Sequence, residues 1–415
     1  MGQLNKTYDQ IEKAILALLK YCKENNWAGY DPYDNLNSPL FKKIPFLQNR
    51  ICRLIFIQGM KRFPINLRPF FFIPKRENSK AIALFLMAFL KLRKLGLLED
   101  ENLITLMIQK LIDLRSPNKL LACEIHNSDS EAYFTGPNNS SNPYWCWGYS
   151  FPWQTRTILV PRGAPNLVCT SFVANALLDA YETNPKSQYL NMATSAGKYI
   201  LDQLYWEKDD FTAGFSYPLP LLKNRVHNAN FLGADLLCRI YNLSGDKNFL
   251  EPALKVARYS AGKQNENGSW DYGEHPTQRW VDNFHTGYNL CALRSIQQNI
   301  KTSEFESHIR RGFEFYKNHF FRDDGAPKYF HNRTFPIDIH SVAQSIITLL
   351  TFKDLGENTV SLAYAVFRWV ITNMWDDRGY FYFQVTPHYK NRIPFMRWSQ
   401  AWMIFTLSTM LYNKR

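Results

Sequence analysis

From residue 79 onward the chain alternates between two kinds of apolar stretch. One kind is apolar on most faces and rich in small residues. Examples are "TSFVANALLDAY" from 170, "HNANFLGADLLCRIY" from 227, "HTGYNLCALRSI" from 285, "HSVAQSIITLLTF" from 340 and "RWSQAWMIFTLSTML" from 397. A helix with no polar face is buried on two sides. The other kind carries one apolar stripe, as in "SQYLNMATSAGKYILDQLYW" and "FESHIRRGFEFYKNHFF", and reads as an outer helix. After each outer helix comes a turn glycine and a short aromatic run: "GFSYP" at 214, "GSWDY" at 268, "GAPKYF" at 325 and "GYFYF" at 379.

The starts of the inner stretches are 57, 58, 55 and 57 residues apart. A fixed period of this length marks a repeat architecture in which each unit buries its apolar face against the next. An earlier pair, "KAIALFLMAFLKLRKL" and "LITLMIQKLIDLR", supplies a sixth unit. Six helical hairpins close into a ring, so the pattern predicts an all-α fold, an (α/α)6 toroid, over residues 79–415. An insertion is expected around 116–168, and a helical extension over 1–78 packed on the ring. The inner helices would run parallel, with their N-terminal ends around one mouth of a central cavity.

Aligned at the helix start, the repeats read Thr170, His227, His285, His340 and Arg397. Equivalent positions in a ring face one another, so three histidines and an arginine are expected at one mouth. Free N–H groups and the positive ends of the helix dipoles make such a mouth favourable to anions. The flanks add polar groups: Asn228 by His227; Asp282, Asn283 and Tyr288 by His285; Asp338 by His340; Gln400 by Arg397.

Three chemistries suit these residues. Proton abstraction beside a carboxylate needs a base, an acid and groups that neutralise the carboxylate. His227, His285, His340 and Tyr288 are the expected acid/base groups, and Asn228, Asn283, Arg397 and Gln400 the expected holders of substrate. Glycoside hydrolysis needs two carboxyl groups across the scissile bond. Asp282, Asp338 and Glu124 are candidates, though an aspartate before a helix also reads as an N-cap. A metal site is not expected, because no HxH or HxxxH pair occurs among these histidines. Trp145, Trp147 and Trp153 in the insertion are candidates for a sugar-stacking floor; most turn aromatics read instead as wedges between repeats.

Charge changes the picture in one place. The net charge is +13, and residues 41–95 hold thirteen lysines and arginines against a single acid, Glu77. Apolar residues interleave with these cations ("FKKIPFLQNRICRLIFIQGMKRF"), which favours an anionic membrane surface or an acidic glycan over nucleic acid. The bland alternative is a solvated basic face. Seven scattered cysteines with no C-x-x-C suit a reducing compartment. With no signal-peptide pattern and no spanning run, the expected location is the cytoplasm, peripheral on the inner membrane. No phosphate-binding glycine loop or nucleophile elbow appears, so no cofactor is expected. The DDxxD and DxDD motifs of terpenoid cyclase toroids are missing too.

Five segments resemble one family: "YDPYDNLNSP" (30–39), "PINLRP" (64–69), "CWGYSFPWQ" (146–154), "DNFHTGY" (282–288) and "PIDIHSVAQS" (336–345). They are similar to VpsJ-type polysaccharide biosynthesis proteins of bacterial capsule and exopolysaccharide clusters. That resemblance implies work on a surface polysaccharide or its lipid-linked precursor. It carries no catalytic assignment. The toroid itself is similar to those of glycoside hydrolases, polysaccharide lyases and N-acylglucosamine 2-epimerases. The expected protein acts by acid/base chemistry, of epimerase or lyase type, on an acidic saccharide or lipid-linked glycan. An inverting hydrolase and a non-catalytic glycan-binding scaffold are the alternatives.

Overall fold

The computed structural model describes residues 2–117, 123–125, 132–134, 143–220 and 222–414. Six inner helices form the ring: α4 (Ser79–Lys94), α6 (Leu167–Thr183), α8 (His227–Ser244), α10 (Asn283–Ile300), α12 (Ile339–Thr351) and α14 (Ala401–Tyr412). Each packs on the next, and α14 returns to α4, so the ring is closed. Five outer helices follow their inner partners: α5 (Asn102–Asp113), α7 (Ser187–Tyr199), α9 (Leu250–Ala261), α11 (Glu306–His319) and α13 (Thr359–Met374). The all-α toroid read from the 57-residue period is the observed fold.

The outer partner of α14 comes from the other end of the chain. It is α1 (Gly2–Glu24), whose Ile11, Ile15, Leu18 and Cys22 are buried in the same core as the inner helices. A turn glycine fixes the equivalence. Gly325, with φ +85°, lies against the backbone of Ala365 on α13, and Gly379, with φ +88°, lies against the Ala17 backbone on α1. Both glycines adopt the left-handed conformation that side chains disfavour, and neither site has room for a Cβ. The ring therefore takes its twelfth helix from within 1–78. The boundary expected at 78 does not follow its edge.

Residues 25–78 lie outside the twelve helices. They include α2 (Pro39–Lys43) and α3 (Arg50–Arg62), around a small core of Leu36, Phe41 and Ile57. Two buried ion pairs tie this region down. Arg68 Nε donates to Asp34 Oδ1 at 2.7 Å, and Arg397 clamps Asp31 through Nε (2.6 Å) and Nη2 (2.8 Å). Short antiparallel strand pairs complete the loops at the ring mouth, among them the hairpin of Trp153–Gln154 with Leu159–Val160 and the pairing of Ile337–Asp338 with Gln384–Val385. Part of the expected insertion, with the Glu124 side chain, lies outside the described residues. Its later part, 143–165, crosses the mouth.

Candidate functional site

The inner helices start at N-caps Asn78, Asn166, Val226, Asp282 and Asp338, and the sixth at Phe395, before a π-turn (Met396–Gln400) that leads into α14. The second helical residue of each is Lys80, Val168, Asn228, Phe284, His340 and Arg397. All six line one cavity of about 500 Å³ at the ring mouth. This is the true repeat register of the site. The first turn of every inner helix aims its second residue at the axis, and the ring converges them.

The register explains which sequence expectations meet at the cavity. His340 and Arg397 stand at the second position and do. His285 stands at the third, and still lines the cavity beside Phe284. His227 stands at the first and turns away. Its Nδ1 lies 3.3 Å from Ser260 Oγ, and burial holds its pKa down at about 4. Thr170, the fourth helical residue of α6, is bound to the backbone of Trp147. His227 is thus corrected from a cavity group to an inter-helix one; Asn228 beside it takes the lining position, with a buried Oδ1 that has no protein partner.

Other expected substrate holders are structural. Asn283 Oδ1 accepts from Tyr316 Oη (2.8 Å) and Ser345 Oγ (3.1 Å), behind the ring wall. Gln400 pairs with both backbone groups of Phe381 at 2.9 Å. Trp147 is fully buried, with its Nε1 on Leu111 O, and Trp145 packs between Trp147 and Arg115. Of the three tryptophans only Trp153 lines the cavity. Asp338 is wholly buried. Its Oδ1 caps α12 at His340 N (2.8 Å) and accepts from Trp398 Nε1 (2.9 Å), while Oδ2 accepts from Gln384 Nε2 (2.6 Å). Burial raises its pKa against those donors. It sets the shape of the helix start and does not line the cavity.

Two groupings able to move protons remain. In the first, Asp282 caps α10 with Oδ1 at His285 N (3.0 Å). Its Oδ2 lies 2.7 Å from His285 Nδ1 and 3.0 Å from Trp280 Nε1. Tyr272 stacks on Trp280 and lies against the imidazole, fixing its plane. Nε2 of His285 has no hydrogen bond among the described residues, and the side chain keeps a fifth of its surface open (21%). In the second, Tyr288 Oη lies 2.5 Å from His340 Nε2 and accepts from Lys80 Nζ at 3.4 Å. Burial pushes the Tyr288 phenol well up, so it stays protonated. Burial, then the nearby Lys80 and Arg397 charges, push His340 well down, so it stays neutral and accepts. Its Nδ1 is buried without a partner among the described residues. The rings of His285 and Tyr288 are 6.1 Å apart, on one face of α10.

Lys80 escaped the sequence reading. It is buried, faces the rings of Phe172 (4.0 Å), Tyr288 and Trp402 (5.2 Å each), and has no carboxylate partner among the described residues. Burial first, then Arg397, lowers its pKa to about 7. Carrying the helix-start alignment into the first repeat would have exposed it. Arg397, by contrast, spends its charge on Asp31. The cavity wall is completed by aromatics from the loops leading into five of the inner helices, including Tyr33, Tyr149, Tyr217, Trp280 and Tyr329, and by Trp398 of the π-turn. Asp282 is its one carboxylate among the described residues. No group of three or more His, Cys, Asp or Glu stands placed to hold a metal ion among them either.

Comparison with known proteins finds the fold. A GH76 α-mannanase of Bacteroides thetaiotaomicron superposes with a TM-score of 0.57 at 11% identity, over 81% of this chain and 87% of that one. Cellobiose 2-epimerase of Bacillus thermoamylovorans gives 0.58 at 11%, over 81% and 88%. Unsaturated glucuronyl hydrolase of Streptococcus agalactiae gives 0.58 at 10%, over 98% and 91%. The chain is thus similar to (α/α)6 toroid proteins in architecture. No family model matches it and no curated protein does, so the likeness to VpsJ-type proteins stands on its motifs alone.

Proposed function

We propose that this protein is a carbohydrate-active enzyme that transfers a proton at a ring carbon of a saccharide, in the manner of an epimerase or a lyase. The observation that carries this is the His285–Asp282 pair. A carboxylate at Nδ1 fixes the tautomer and leaves Nε2, bare of partners, towards the cavity. That is the arrangement of a general base. Tyr288, protonated and backed by His340, supplies an acid within the same space. The aromatic walls suit the apolar faces of sugar rings.

The hydrolase reading is weaker here. It needs a second carboxyl across the bond, and Asp338 is committed to three buried hydrogen bonds including the helix cap. An anionic substrate group falls to Lys80 rather than Arg397. A buried ammonium without a counter-ion is costly, and a carboxylate arriving beside it would restore its charge. We therefore read the substrate as an acidic saccharide. The motifs shared with VpsJ-type proteins support a place in surface-polysaccharide assembly.

The test is turnover in heavy water with saccharides ending in uronate or neutral sugars, read by mass spectrometry. Deuterium at a ring carbon means epimerisation, and an unsaturated product means elimination; either supports the reading. Cleavage by water with neither signature overturns it in favour of a hydrolase. Saturable binding with no turnover overturns it in favour of a glycan-binding protein.

A further inference from the structure

Eight of the fourteen exposed large apolar side chains among the described residues fall within 40–72. On α3 the buried face is Arg53, Ile57 and Met60, the ordinary spacing of a packed helix. The opposite face carries Ile51 and Ile55, one turn apart and 64% and 66% exposed. A surface helix with isoleucines on its outer face departs from the amphipathic rule. Phe63 and Ile65 continue the patch past the end of α3. Phe70 joins it through Phe71, which packs edge-on against Phe56 of α3. Phe70 itself is 75% exposed, and Phe72 beside it stands out as well.

The same surface is basic. Lys43, Arg50 and Arg62 are exposed and have no carboxylate partner among the described residues. The one acid of 41–95, Glu77, is already paired with Lys110 on the ring. The sequence reading placed the basic block at 41–95. The structure narrows it, since Arg53, Arg68 and Lys80 point inward and α4 is an inner helix. What remains outside is a run of exposed apolar side chains interleaved with cations that have no carboxylate partner among the described residues.

We propose that residues 40–72 form a docking surface for an anionic lipid bilayer. Apolar side chains on the outer face of a short helix enter the interfacial region, and the lysine and arginine rim meets anionic headgroups. Charge complementarity favours this occupant over a second copy of the chain, whose identical patch would bring like charges together. The placement matters for the cavity. Gln58, on the same stripe of α3 as Ile51 and Ile55 and one turn further on, lines the cavity, and Lys61 donates to Tyr33 Oη (2.6 Å) on its wall. A bilayer on the outer face of α3 would therefore lie beside the mouth, within reach of a membrane-borne glycan. This last step rests on the saccharide reading above; the docking itself does not.

The test is co-sedimentation of the whole protein with vesicles of phosphatidylcholine, with and without phosphatidylglycerol. The wild type should partition at least about tenfold better onto the anionic vesicles, less so as salt rises. Ile51→Ser/Ile55→Ser and Phe70→Ser/Phe72→Ser should each lose about tenfold, and Arg50→Glu/Arg62→Glu should abolish the lipid preference. These side chains are exposed, so the melting temperatures should hold. Equal recovery in the supernatant with both vesicles overturns the proposal. So does a dimer in analytical ultracentrifugation that the Ile51/Ile55 variant dissolves, which would make the patch a contact between copies. Turnover of a water-soluble substrate by the Ile51/Ile55 variant should match wild type, separating this proposal from the chemistry of the cavity.

Discussion

Asp282 serves His285 twice: one carboxylate oxygen caps the backbone N–H of His285 at 3.0 Å and the other lies 2.7 Å from its imidazole. Helix start and tautomer are set by the same side chain. Asp282→Asn separates the two functions, because asparagine caps about as well as aspartate. Its melting temperature should stay near wild type while turnover falls by about a hundredfold or more. His285→Ala should lose turnover as fully, with binding retained. If Asp282→Asn turns over normally, the imidazole is not the base.

Lys80 opposes stability, and the role proposed for it is in binding. Its folded pKa is about 7 against 10.5 for an unperturbed lysine. Between those values the unfolded chain holds a proton that the folded one lacks, so folding stability rises with pH across the window. Below 7 both states are charged and the full penalty applies. Lys80→Met should therefore stabilise the protein at neutral pH, by about 1–3 kcal/mol after the lost cation–π contacts are counted. It should also erase any preference for uronates over neutral sugars. Denaturation at pH 6 and 10 with paired binding titrations measures both.

Tyr288→Phe removes the hydroxyl shared by His340 Nε2 and Lys80. Two buried polar groups then lose their partner, at about 1–3 kcal/mol. Turnover should fall with little change in KM, since the phenol is assigned to the transition state rather than to binding. Equal losses in both parameters would make it a binding group.

His227 should prove dispensable for turnover and costly in acid. Its folded pKa of about 4 lies below the usual 6.5. As pH falls through that window the unfolded chain gains a proton that the folded one refuses, and stability drops, by about 3 kcal/mol at most. His227→Gln should flatten the acid-unfolding curve between pH 6.5 and 4 and leave activity within about twofold.

The ring was legible because its signal is periodic and long. The inner stretches lack a polar face, and only a closed ring buries six such helices. The site was half legible, for a reason of register. One residue along a helix is about a 100° turn, and the alignment at Thr170, His227, His285, His340 and Arg397 mixed positions that point in different directions. Capping residues carry the missing information. Asp282 and Asp338 read as N-caps in the sequence, and counting from them places Phe284 and His340 on the axis. Val226 and Phe395 carry no capping side chain, so those starts could not be found that way. Lys80 was hidden in plain hydrophobic surroundings, and Arg397 looked free because Asp31 lies 366 residues away.

The contact between α1 and α14 is the most sequence-distant seam of the ring. Translation delivers α1 several hundred residues before α14. For almost the whole of synthesis the apolar stripe of α1, with Ile11, Ile15 and Leu18, has no permanent neighbour. The nascent ring is an open arc with two raw edges, and loop closure over several hundred residues is its final act. Pulsed hydrogen exchange should find the amides of α1 protected last during refolding. Gly379→Ala, which crowds Ala17 and strains the turn, should speed unfolding more than it slows refolding.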